Sequence, residues 1–189
     1  MGCWGITAFE SDAGLDAAGF IRDHLPEDGR LELEKLIGAL RQDSWNAPSD
    51  VTDGESHTSP MALAEVVVKF LDRDLDGLDY DGDWAAQDKK FNTITSFTAS
   101  RDSVRWLRDY LSDTLKYAVK NAEKGHKWGG WFQKKDWIDW QNHMAVLIGR
   151  LDGVLAGDGS TLELYSGAAQ AAAYMPEQAQ TGNSGLCMK

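Results

Sequence analysis

The sequence predicts a mainly α-helical protein, a single-domain bundle of about five helices with one short strand element near residues 91–97. Three observations lead there. Apolar residues recur three and four positions apart in several long stretches, the spacing that lines one face of a helix. Pro, Gly, Asn and Asp punctuate the breaks between those stretches. The chain has 189 residues, 42% of them hydrophobic and eight of them Trp, enough to bury one sizeable core.

Ser11 or Asp12 can cap a first helix running to about residue 24, before Pro26 and Gly29 interrupt it. A second, from about 31 to 42, carries Leu31, Leu33, Leu36, Ile37 and Leu40 on one stripe and should pack on the first. The polar stretch 45–59 reads as a surface loop. Pro60 then opens a third helix, and Met61, Leu63, Ala64, Val67, Val68 and Leu71 make it apolar round much of its circumference, which places it centrally. Residues 84–99 are ambiguous: Phe91, Thr93, Thr95 and Phe97 alternate like a strand, while Trp84 to Ala86 suit a helix, and helix is the leaning. A fourth helix follows Ser100 to about Lys124, and a fifth runs from about Lys134 to Leu155. The connection of roughly ten residues argues that these two are antiparallel. The organisation is thus a helical domain over 1–155 and a Gly/Ala/Ser-rich C-terminal extension over 156–189, loosely held at its end, with one short helix around Ala168 to Met175.

Charge is unevenly spread. The net formal charge is -11; residues 1–100 hold 20 acidic and 8 basic side chains, and residues 101–189 hold 10 and 11. Such an excess repels phosphate backbones, so nucleic acid is an unfavoured partner, whereas cations or a basic protein suit it. No apolar run is long enough to cross a bilayer, and the first residues lack the basic, apolar, small-residue order of a secretory signal. With Cys3 and Cys187 far apart and no CxxC spacing, a cytoplasmic protein with two free thiols is expected.

The sharpest candidate for chemistry is the twelve-residue acidic loop Asp72 to Asp83, which opens like a calcium loop. Asp72, Asp74 and Asp76 stand at its first, third and fifth positions, Gly77 at the sixth where the chain must turn sharply, Leu78 at the seventh to offer a carbonyl, and Asp83 at the twelfth. Against calcium, Asp79 occupies the place of the usual aliphatic residue, and Asp83 is a methylene shorter than the usual Glu. A solvated surface loop is the competing reading. A second cluster joins Trp128 and Trp131 to Lys134 and Lys135: a Gly-Gly turn whose indoles fold back over the helices, an interaction surface for protein, or a stacking platform for single-stranded nucleic acid. Asp139 and His143 lie one helical turn apart, but two groups are too few for a metal, and a hydrogen-bonded His is the plainer meaning. No nucleophile elbow, phosphate-cradling glycine loop, HExxH or paired CxxC occurs, which makes an enzyme the minority reading.

The opening residues carry a signature. Met1, Gly2, Trp4, Gly5, Phe9, Glu10, Asp12 and Asp16 follow the layout Met-Gly-x-Trp-Gly, then Phe, an acid and Asp before the first helix. In this the chain resembles a bacterial family known as the domain of unknown function 4259. The resemblance implies a small, mainly helical bacterial protein with no catalytic residues to transfer. By their chemistry Gly2 and Gly5 would let the backbone pass close to its neighbours, Trp4 and Phe9 would bury apolar area and tie the terminus down, and Asp12 would cap.

The function expected from all this is that of a non-catalytic acidic helical module that binds another protein, as an adaptor, inhibitor or toxin-neutralising partner. Calcium binding through Asp72 to Asp83 is the alternative, and a metal-dependent hydrolase the remote one.

Overall fold

The computed structural model describes residues 2–52, 58–78, 89–124 and 134–167. Among them are five α-helices and three strands: α1 (Asp12–Asp23), β1 (Arg30–Glu32), α2 (Leu33–Gln42), α3 (Thr58–Asp72), β2 (Ser96–Ser100), α4 (Arg101–Glu123), α5 (Trp137–Leu155) and β3 (Thr161–Ser166). Single 3-10 turns stand at Ala8–Glu10, Lys90–Thr93 and Lys134–Asp136. The protein is therefore mainly α with a small sheet. None of the described helices is long and apolar enough to cross a membrane.

The third helix is the axis of the core, as its all-round apolar surface predicts. From Thr58 to Val67 every residue of α3 is buried, and so is Phe70. Phe70 meets the sheet edge-on, with ring centroids 5.2 Å from Phe97 and 5.3 Å from Tyr165, so helix and sheet lock through aromatic contacts. The helix stripes bury as expected: Leu33, Leu36, Ile37 and Leu40 in α2, Val104, Leu107 and Leu111 in α4, and Trp140, Met144, Leu147 and Leu151 in α5.

The fourth and fifth helices run antiparallel. Near the start of α4, Arg101 donates to the Leu155 carbonyl at 2.6 Å, to Gly157 and to Gly159 at 3.1 Å, while Arg108 lies 3.6 Å from Asp152. A guanidinium thus closes the C-terminal end of α5, where carbonyls lack helical partners and the helix dipole is negative.

The sheet departs from the sequence reading. Its order is β1-β2-β3, with β1 parallel and β2–β3 antiparallel around a bulge at Phe97/Thr98. The ambiguous stretch leaned towards helix, but Lys90–Thr93 forms a 3-10 turn and Ser96–Ser100 a strand, with Phe97 and Ala99 facing the core. Arg30–Glu32 belongs to a strand where a helix start was expected. Thr161–Ser166, inside the stretch assigned by composition to a C-terminal extension, is a strand that buries Leu162 and Leu164. The helix expected around 168–175 lies outside the described residues, as does the stretch 84–88.

Candidate functional site

The N-terminal segment is tied down by its backbone. Trp4 N–H donates to the Glu10 carbonyl at 3.0 Å, Asp12 N–H to Gly2 at 3.1 Å, and Cys3 and Ser11 form an isolated antiparallel bridge. Asp12 accepts the Gly2 N–H at 2.6 Å, so it clamps the loop and does not cap. The cap of α1 is Ser11, whose hydroxyl accepts from Gly14 N–H at 3.0 Å and donates to the Ala8 carbonyl at 2.8 Å. The Trp4 indole does not insert as its size suggested: it is 53% exposed, while Phe9 packs against the core.

Glu10 organises the turn. Its carboxylate accepts from the Ile6 N–H at 2.9 Å and from the Thr7 N–H and hydroxyl at 3.0 Å. Gly5 leaves it room, because a Cβ there would fall 2.1 Å from the Glu10 carboxyl carbon. The hydrogen bond from the Thr7 backbone is the main cause that lowers the Glu10 pKa; partial burial opposes it, and the Ile6 N–H, the Thr7 hydroxyl and His143 add to the lowering. A depressed carboxylate contributes stability that is present above its unfolded pKa and is lost as pH falls through the folded value. Glu10→Gln is therefore expected to lower Tm at neutral pH, with the gap to the parent closing once the pH drops below the ordinary glutamate range. A gap that stays constant across thermal melts at different pH would show that Glu10 acts through shape alone.

Beneath this turn lies a buried polar contact. Glu65, 5% exposed in the middle of α3, accepts the Ala8 N–H at 2.8 Å on Oε1, and His143 Nε2 of α5 approaches the same oxygen at 2.7 Å. Glu65 Oε2 is buried with no hydrogen-bond partner among the described residues. One carboxylate thus joins the signature loop to two helices. His143 turns to Glu65, 78 positions away, instead of to Asp139. Glu65 escaped the sequence reading, although a lone acid inside an apolar helix is the signal that marks it.

A carboxylate that orients an imidazole is half of a nucleophile-activating array. The thiol on the same loop does not complete it: burial is the main cause that pushes the Cys3 pKa up, a backbone hydrogen bond at Gly5 opposes it, and Asp136 and Glu10 add to the rise. A thiolate is disfavoured there. The pair's evident work is to anchor the loop.

At the acidic loop, Asp72 ends α3 paired with Arg150, and Asp74 lies 3.7 Å from Lys69, which also donates to the Asp76 carbonyl at 2.8 Å. Gly77 has φ +79, the left-handed turn that a calcium loop needs at its sixth position. Leu78 is buried, and Asp83 lies outside the described residues. Among the described residues no group of three or more His, Cys, Asp or Glu side chains could hold a metal ion. Of the second cluster, Trp128 and Trp131 are outside the described residues, Lys134 starts a 3-10 turn, and Lys135 is exposed.

Among the described residues, clefts open at several places on the surface. One of about 220 Å³ lies between Ala13, Trp45, Asn46, Thr58 and Ser59; another of about 200 Å³ includes Arg73, Asp74 and Tyr165; a third of about 330 Å³ runs between α2 and α4, where the Arg41 guanidinium sits 4.5 Å from the Trp106 ring centroid. His143 and Glu65 line none of these three. No family model, curated protein or solved structure matches the chain.

Proposed function

We propose that this chain is a non-catalytic acidic protein that works in the cytoplasm by binding another protein, in the manner of an adaptor, an inhibitor or a toxin-neutralising partner. The observation that carries the reading is Trp45, 69% exposed at the lip of the 220 Å³ cleft. A free indole leaves a large apolar surface in water, and Trp is among the residues that concentrate binding energy at protein interfaces. The cleft's described lining carries no ionisable side chain, and the body around it belongs to the acidic half of the chain. A partner with an apolar anchor and a basic rim fits that combination.

The test compares the parent chain with Trp45→Ala as baits in a lysate at low and high salt. A protein captured in stoichiometric amount by the parent, lost with Trp45→Ala and weakened by salt, is the expected result. No stoichiometric protein under either condition would remove the proposal. A place in the domain of unknown function 4259 family is proposed on the signature Gly2, Trp4, Gly5, Phe9, Glu10 and Asp12, in which Gly5 leaves room for the Glu10 carboxylate and Asp12 accepts from the Gly2 N–H. Relatives that keep Glu10 but replace Gly5 by a larger residue would speak against it.

The second reading, calcium at Asp72 to Asp83, is favoured by the left-handed Gly77 and opposed by the cations already on Asp72 and Asp74. Calorimetric titration decides it: neither heat nor a higher Tm at millimolar calcium would end this reading.

A further inference from the structure

Strands β1 and β2 are parallel, and each runs straight into a helix: Glu32 is followed by Leu33 of α2, and Ser100 by Arg101 of α4. The two helices therefore start side by side and run the same way, with the cleft of about 330 Å³ between them. Its two ends carry opposite charge. At the helix starts, Glu34 accepts the Ser100 N–H at 3.1 Å and the Ser103 hydroxyl at 3.4 Å, and Asp102 lines the same end. Two turns along α2, the Arg41 guanidinium lies against the Trp106 ring. Arg41 is exposed, and its guanidinium has no ion pair or hydrogen bond among the described residues, whereas Arg105, Arg108 and Arg150 each pair with an acid. Between the two ends Gly38 leaves space: a Cβ built on it meets nothing within 4 Å.

The geometry points to a binding site for a small amphoteric molecule, its carboxylate on Arg41 and its ammonium at Glu34 and Asp102. A guanidinium backed by an indole has little freedom left to lose, and its planar fork of donors suits a carboxylate in two parallel bonds. The acids at the far end decide the rest of the ligand. They repel a phosphate, which is more highly charged and brings no cation of its own, and they attract an ammonium. Glu34 has capacity for it, since a carboxylate offers about four acceptor sites and two are taken here. Spacing sets the length. Asp102 stands four positions before Trp106, a rise of about 6 Å, and Glu34 seven before Arg41, about 10 Å. An α-ammonium beside its own carboxylate is too short for that span. A basic amino acid with a side-chain ammonium fits it, as does a di- or tripeptide with free termini at about 3.5 Å per residue. The site goes beyond the protein partner proposed above and does not rest on it, because Trp45 lines a different cleft.

Calorimetric titration and thermal melts of the full chain test this with four probes: lysine, trialanine with free termini, the same peptide acetylated and amidated, and inorganic phosphate. Saturable binding of lysine or of free trialanine is the expected result, and the tighter of the two identifies the source; the blocked peptide and phosphate should give neither heat nor a higher Tm. Arg41→Gln removes the guanidinium from an exposed position, so the variant should fold and bind at least about tenfold more weakly. Glu34→Gln keeps an acceptor for the Ser100 N–H and should weaken binding as well. Absence of binding by both lysine and free trialanine at millimolar concentration overturns the inference. So does binding of the blocked peptide or of phosphate as tight as that of the amphoteric probes, or an affinity unchanged in either folded variant.

Discussion

His143→Ala is expected to cost about 3 kcal/mol of folding free energy, the scale on which a buried ion or hydrogen-bonded pair loses one partner. The estimate sits at the lower end of that range because Glu65 keeps the Ala8 N–H, and because the His143 side chain is 20% exposed, so water can reach part of the vacated space. What remains is a carboxylate that is 94% withdrawn from solvent, with one oxygen already lacking a partner among the described residues. For a chain of this length the loss corresponds to a fall in Tm of roughly 6–12 °C. Desolvation of Glu65 should decide the size of the effect more than any attraction to the imidazole. A double-mutant cycle separates the two: in a Glu65→Gln background, which keeps an acceptor for Ala8 but removes the charge, His143→Ala should cost only about 1 kcal/mol. Equal costs in both backgrounds would mean that His143 matters for packing and not for the buried charge. A single variant within about 0.5 kcal/mol of the parent would deny the anchor altogether.

The helices were legible because their signal is local. Leu33, Leu36, Ile37 and Leu40 announce a buried face within three turns, and Ser100 before Arg101 announces a start that its hydroxyl then makes, accepting from Ser103 N–H at 3.1 Å. The sheet was less legible because its pairing is not local. Arg30–Glu32 has only three residues and becomes a strand through Ser96–Thr98, more than sixty positions on. Thr161–Ser166 does alternate, with Leu162 and Leu164 inward, but the Gly- and Ala-rich stretch after it drew the whole region into one compositional class. At the N-terminus the physics was misassigned. An indole suggested burial, whereas hydrogen bonds to Glu10, Ser11 and Asp12 hold the segment and leave Trp4 in water. The Glu65–His143 pair was half visible: each residue stands out on its own helix, yet nothing in either neighbourhood names the other.

Gly14→Ala should destabilise the protein by about 2–4 kcal/mol, against the trend for Gly in helices. In an open helix the change gains about 0.8–1 kcal/mol, because Ala loses less backbone freedom on folding. At Gly14 a Cβ would lie 1.7 Å from the Ala8 carbonyl oxygen and 2.4 Å from its carbon. Those are backbone atoms and cannot rotate away. Ala8 is also held on both sides: its N–H is on Glu65, and its carbonyl takes the Ser11 hydroxyl and the Ser11 N–H at 3.1 Å. Moving it strains the Ser11 cap and the Glu65 anchor at once, so the loss exceeds that of a simple overpacked contact. Gly5→Ala makes a graded comparison, since its Cβ would meet the Glu10 carboxyl, a side chain that can swing out by giving up its bonds to Ile6 and Thr7. Gly149→Ala supplies the opposite limit, with open space around the added methyl, and should stabilise the protein. Denaturant midpoints at constant m-value should therefore fall in the order Gly149→Ala, parent, Gly5→Ala, Gly14→Ala. If Gly14→Ala instead rises with Gly149→Ala, the N-terminal turn does not rest on α1 and the signature residues have another purpose.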